Sequence, residues 1–79
     1  MPVTLTLYSR VGCHLCDDML AILTEWQDEM GYGLRIVDID TDPELASRYN
    51  ILVPVLTAGE QEICHHFLDR VALERALGQ

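Results

Sequence analysis

The tightest constraint on the fold of this chain is one helical stripe set between two strand-like runs. Apolar residues at Leu15, Met19, Ile22, Leu23, Trp26 and Met30 step by three and four, which places them on one face of a helix. Before it, VTLTLYS alternates Val3, Leu5 and Leu7 with Thr4, Thr6 and Tyr8, the period of a strand. Gly12 breaks that strand, and Gly31 and Gly33 end the helix in a turn. LRIVDID follows as a second strand with a continuous apolar middle. Two strands joined through a helix of that length pair in parallel, with the helix packed on the sheet.

The rest of the chain adds two helices and, between them, the two strands of a hairpin. TDPEL starts a short helix, with Asp42 able to cap and Pro43 suited to the first helical position. Leu45 and Tyr49 share one face of it, and Asn50 can end it. VPVLTAGEQEICHHFL predicts a hairpin, with strands over residues 53–57 and 61–67 and Ala58-Gly59-Glu60 as the turn. LDRVALERALG predicts a closing helix capped by Asp69, with Leu68 and Leu73 placed as a hydrophobic staple. The expected order is β-α-β-α-β-β-α: an α/β domain with a mixed four-stranded sheet and helices on its faces. Repeats, linkers and low-complexity stretches are absent from the sequence, so residues 1–79 are expected to form one domain.

Composition narrows the chemistry. Three cysteines in 79 residues is an odd and sparse set, unlike a secreted disulfide framework. MPVTLTLYS lacks the basic start and apolar run of a signal peptide, and the sequence has no apolar stretch near the roughly 20 residues of a membrane helix. A cytoplasmic protein with reduced cysteines is therefore expected. Thirteen acidic residues against five basic ones give a net charge of -8, which repels phosphate backbones and anionic membranes. Neither nucleic acid nor membrane is an expected partner, and the chain is expected to be a monomer.

The residues that carry chemistry are Cys13-His14-Leu15-Cys16, at the point where the first strand gives way to the first helix. A helix N-terminus carries partial positive charge and free N–H groups, and both favour a thiolate. Cys13 is thus expected to have a lowered pKa and to act as nucleophile, with Cys16, about one turn further in, resolving the mixed disulfide. Arg10 and protonated His14 act in the same direction, whereas Asp17 and Asp18 oppose it.

Val53-Pro54 just before a predicted strand is the second signal, because proline cannot donate to a sheet ladder. With the CxxC and the hairpin, it makes nearly the whole chain resemble the glutaredoxin branch of the thioredoxin-like superfamily; VDIDTDPEL and YNILVPVL look like a small bacterial glutaredoxin-like group. The resemblance implies a three-layer thioredoxin-like fold and a thiol-disulfide oxidoreductase acting on a disulfide-containing protein or a small thiol. It implies a cis Val53-Pro54 bond facing the CxxC, with the Val53 backbone pairing with the incoming peptide. It also implies substrate contacts from Gly12 and His14 beside the cysteines, and Arg10 meeting a glutathione carboxylate.

No cofactor is expected. Glutathione is the reductant the resemblance implies, but the family's Gly-Gly before an acid is missing from ICHHFLD, and the chain shares glutathione's sign of charge. His14-Leu15 replaces the usual Pro-Tyr, and Leu7 stands where thioredoxins often carry a buried acid. Cys64 has three readings: a small buried thiol, a third redox thiol, or a ligand of zinc or copper with Cys13, Cys16 and one of His65 or His66, which would make the chain a metal-binding module. A thioredoxin-fold binding protein without activity is a further alternative. Trp26 is expected in the core and Tyr8 at the rim of the site.

Overall fold

A computed structural model describes residues 3–78; of the expected domain over residues 1–79, positions 1, 2 and 79 lie outside the described residues. Strand β1 (Thr4–Ser9) leads into helix α1 (His14–Met30) and back into β2 (Gly33–Asp38). A 3₁₀ turn (Ile39–Thr41) and helix α2 (Pro43–Tyr49) connect to the hairpin of β3 (Val55–Ala58) and β4 (Gln61–His65), and α3 (Arg70–Ala76) follows. The sheet order is β2-β1-β3-β4. The β1–β2 pair is parallel, with Leu5 opposite Leu34, and β3 runs antiparallel to both β1 and β4. This is the mixed, three-layer, thioredoxin-like arrangement.

The period-two pattern of β1 sorts its side chains between two layers. Leu5 and Leu7 are fully buried, and with Leu56 of β3 they meet Met19 and Leu23 of α1 and Leu73 of α3 in one core. Tyr8 points to the other side, where its ring packs against Tyr49 of α2 at 4.6 Å between centroids. The α1 stripe buries Met19, Leu23 and Met30, and Trp26 packs against the core edge beneath the Arg70 guanidinium. Gly31 ends α1 at φ 75°, a conformation L residues avoid, and its N–H reaches the Gln27 carbonyl at 2.8 Å. Tyr32 turns inward after it and donates its hydroxyl to the Leu23 carbonyl.

Several boundaries differ from the sequence pattern: Gly33 begins β2 and Ala58 ends β3, where turns were expected, and three other ends have clear local causes. The β2 run ends at Asp38, because the Asp38 carboxylate accepts the Asp40 N–H at 2.9 Å and folds the chain into the 3₁₀ turn, with Ile39 still fully buried. Strand β3 begins at Val55, because the N–H groups of Leu52 and Val53 turn back to the Tyr49 carbonyl and Pro54 has none. Strand β4 stops at His65: His66 has φ 64°, and Phe67 N–H closes a three-residue turn onto the His65 carbonyl. The register also skips between Leu56/Thr57 and Cys64/Glu62, so Ile63 is an extra residue. The strict alternation expected for residues 61–67 is therefore lost; Cys64 enters the core and Ile63 packs against its edge.

Candidate active site

Chain direction brings three connections to one end of the sheet. Tyr8 near the end of β1 pairs with Val55 at the start of β3, and Val55 pairs with His65 at the end of β4. The β1–α1, α2–β3 and β4–α3 connections therefore leave from the same edge. The CxxC lies on the first, Val53-Pro54 on the second and His66-Phe67 on the third.

The first connection is shaped by Gly12, whose φ of 80° turns the chain toward the helix. Cys13 then occupies the N-cap of α1: its Sγ accepts the Cys16 N–H at 3.1 Å, and its carbonyl accepts the Asp17 N–H at 3.1 Å. Serine or aspartate is the usual residue at an N-cap, where a side-chain oxygen satisfies the orphan N–H groups. Here a sulfur takes that role, so the atom able to carry negative charge sits at the positive end of a 17-residue helix. Cys13 and Cys16 form a disulfide, with Cα atoms 5.2 Å apart. The two sulfurs are unequal: Cys16 is 2% exposed, while Cys13 is half-buried and reachable from solvent.

His14 points outward beside the cysteines, 3.6 Å from the Asp18 carboxylate one helical turn on. Arg10 does not stand free before Cys13. Its Nε and Nη2 donate to the two Asp40 carboxylate oxygens at 3.2 and 2.8 Å, and Nη1 donates to the Asn50 carbonyl and side-chain oxygen at 3.1 and 2.8 Å. The guanidinium thus ties the CxxC connection to the 3₁₀ turn and to the segment leading to Val53-Pro54. The Arg10 hydrogen bonds hold the Asp40 carboxyl below its ordinary pKa, and Asp40 in turn keeps Arg10 firmly protonated.

Val53 is half-buried, Pro54 is buried, and the peptide bond between them is cis. The Pro54 carbonyl accepts the His66 N–H at 2.8 Å, and the His66 ring meets the Ile51 carbonyl through Nε2 at 2.7 Å, so the third connection is fastened to the second. Leu7, in the position considered for a buried acid, is wholly within the apolar core.

Cys64 is a free thiol in that core, 8% exposed. Desolvation pushes its pKa up, and a hydrogen bond from the Asp69 backbone acts against the shift. His65 bonds Glu62 at 2.8 Å, and His66 bonds the Ile51 carbonyl through Nε2 at 2.7 Å. Among the described residues no three His, Cys, Asp or Glu side chains gather into a group able to hold a metal ion. The four-ligand set of Cys13, Cys16, Cys64 and a histidine is therefore not assembled. No described helix is long and apolar enough to cross a membrane.

Sequence reasoning singled out Arg10 but missed its partners, Asp40 and Asn50. The signal was faint: an acid two residues past a strand end, and a residue read only as a helix terminator. Cys64 takes the buried-thiol place that was one of its three readings; the bulge at Ile63 that sets it there is marked by no glycine and was not foreseen.

Residues 4–78 match the model of a glutaredoxin-like domain family (DUF836). Among solved structures, protein Ne2328 from Nitrosomonas europaea is 39% identical, with 95% of this chain and 91% of that chain covered and a TM-score of 0.86. The structural genomics target protein XcR50 from X. campestris is 34% identical over 94% of this chain and 95% of that chain, with a TM-score of 0.74. A buckwheat glutaredoxin-glutathione complex shares the fold at 18% identity, with 94% of this chain and 69% of that chain covered and a TM-score of 0.57. The comparison with curated proteins returned no match.

Proposed function

The chain belongs to the glutaredoxin-like domain family, and from that premise we propose that it is a thiol-disulfide oxidoreductase with Cys13 as nucleophile and Cys16 as resolving thiol. One observation carries the reading: the half-exposed Cys13 sulfur caps α1, bonded to a buried Cys16 sulfur. In the reduced protein, the Cys16 N–H and the α1 dipole favour Cys13 as thiolate. That thiolate attacks one sulfur of a substrate disulfide, forming a Cys13–substrate disulfide and releasing the other substrate sulfur as a thiolate. Cys16, as thiolate, then attacks the Cys13 sulfur. The Cys13–Cys16 disulfide forms and the second substrate thiolate leaves. Two electrons have passed to the substrate, whose two sulfurs take up protons, and a thiol or dithiol donor must return two electrons to the protein.

The substrate is a disulfide-containing protein or a small thiol in its disulfide form, met in a reducing compartment such as the cytoplasm by a monomer. Gly12 and His14 flank Cys13 in the chain, and Val53 lies on a connection at the same end of the sheet beside buried Pro54; these are the residues proposed to meet the substrate. Glutathione is the less favoured electron donor, since Arg10 is engaged by Asp40 and Asn50.

The test is stoichiometric oxidation of the reduced protein by hydroxyethyl disulfide. Two product thiols are expected per protein, with the Cys13–Cys16 bond restored and Cys64 unchanged. Reaction that persists at the same rate in Cys13→Ser protein would rule the mechanism out.

A further inference from the structure

Beside the dithiol, α1 and the β4–α3 connection enclose an apolar groove of about 240 Å³. Leu15, which lies between the two cysteines, opens it; Met19 and Ile22 continue it along α1, and Phe67 and Leu68 form the facing wall. Small-molecule sites usually hold about 300–1,000 Å³. This groove is smaller, the size for a side chain or two. Phe67 is 71% exposed although apolar, and Val11 and Ile51, on the other two connections at this end, are 90% and 81% exposed. Single exposed apolar residues need no explanation, but one on each of the three connections at the end of the sheet that carries Cys13 gives that end an apolar character.

The charge around it has one sign. Ser9 pairs with Asp38, so Asp38 and Asp40 lie at the same end of the sheet as Asp17 and Asp18 in the first turns of α1. Against these four carboxylates stands Arg10, already paired with Asp40. Asp18 itself lines the groove, with His66 as the other polar residue there.

We propose that this groove receives the apolar side chain next to the disulfide cysteine of a protein substrate, on a segment whose own charge is basic. The proposal rests on the disulfide-exchange reading and names the substrate class for it. Charge complementarity selects the occupant. A basic segment is attracted by the net negative charge of Asp17, Asp18, Asp38 and Asp40, which outnumber Arg10, whereas an acidic segment or the anionic glutathione disulfide is repelled. The covalent step is the first exchange: the Cys13 thiolate bonds one substrate sulfur and the other departs as a thiolate, with no further co-reactant.

The experiment uses reduced Cys16→Ser protein, in which exchange stops at the mixed disulfide. It is reacted with symmetrical disulfides of short cysteine peptides and with hydroxyethyl disulfide as a neutral reference. One peptide carries Leu beside the cysteine and flanking Arg, one Gly with flanking Arg, and one Leu with flanking Glu. Relative to the reference, the Leu/Arg peptide is expected to outpace Gly/Arg by about tenfold, the low end for moving one aliphatic side chain out of water. It is also expected to outpace Leu/Glu, by a margin that shrinks as salt is added. Adding Phe67→Ser, or separately Ile22→Ser, should bring the Leu-to-Gly ratio toward one; both residues are solvent-exposed, and thermal melts check that each variant folds. Adding Asp18→Asn should narrow the Arg-to-Glu ratio and leave the Leu-to-Gly ratio in place. Equal rates for the three peptides overturn the proposal, as does a Leu preference that survives both apolar substitutions. Self-association that Phe67→Ser abolishes would assign the groove to a second copy and overturn it too. If not even hydroxyethyl disulfide reacts, the oxidoreductase reading falls, and this proposal with it.

Discussion

Arg10 and Asp40 are joined at two points, Nε to Oδ2 at 3.2 Å and Nη2 to Oδ1 at 2.8 Å, across 30 residues of chain. Such fork-to-fork pairs fix orientation as well as charge. This one is partly open to water, so its consequence lies in where the charge is held rather than in stability. A cation three residues before Cys13 is neutralised in place, and the connections that carry Cys13 and Pro54 are tied through Arg10 and Asn50.

Releasing that cation should therefore change which disulfides react. In Asp40→Asn protein, the rate with glutathione disulfide relative to hydroxyethyl disulfide is expected to rise about two- to tenfold at low salt, the range of a rim charge acting on association. An unchanged ratio would show that Arg10 is not restrained by Asp40.

The same pair has an acid limit. A carboxyl whose folded pKa is lowered adds stability above its unfolded value, and that stability is lost as pH falls through the folded value. The clasp should hold at neutral and mildly acid pH and open only below about 3.9, the ordinary aspartate value. NMR titration of the Asp40 carboxyl carbon should place its midpoint below that value, and Arg10→Gln should raise it. A midpoint unmoved by Arg10→Gln contradicts the pairing.

Cys64 sets an alkaline limit by the opposite sign. Burial raises its pKa, so its contribution is complete below the unfolded thiol value of about 8.5 and is lost as pH rises through the folded value. With the Cys13–Cys16 disulfide intact, wild-type stability should fall more steeply above that pH than Cys64→Ala stability. The extra slope is bounded by one proton, about 1.4 kcal/mol per pH unit. Native Cys64 should also resist alkylation until the protein unfolds. Parallel stability curves, or rapid labelling of the native thiol, would place Cys64 outside the core.

Thr57 offers a test of the sheet's packing. It is 4% exposed, and its hydroxyl has no hydrogen-bond partner among the described residues. A buried unsatisfied polar group costs about 1–3 kcal/mol. Thr57→Val should raise the unfolding free energy by about 1 kcal/mol. A loss of that size would mean the hydroxyl is satisfied.

Most of the fold was legible because local and global preferences agree. The step-three-and-four stripe of α1, the alternation of Leu5 and Leu7, and the caps Asp42 and Asp69 each point to the element they occupy. The CxxC was legible as a site from its junction alone. What the sequence hides is set by long-range partners. Arg10 reads as a free cation until the turn at Asp40 and the end of α2 at Asn50 are brought beside it. Cys64 keeps its three readings until the extra residue at Ile63 and the positive φ of His66 break the strand and set its thiol in the core. The apolar groove likewise needs Phe67 and Ile22, 45 positions apart, to face each other.

The most direct test of the central claim is to expose reduced Cys16→Ser protein to a peptide disulfide, quench it, and map the adduct by mass spectrometry. One peptide bonded to Cys13 is expected, with Cys64 free and the adduct released by added dithiol. An adduct on Cys64 in place of Cys13, or no adduct while unfolded protein reacts fully, would contradict Cys13 as the nucleophile.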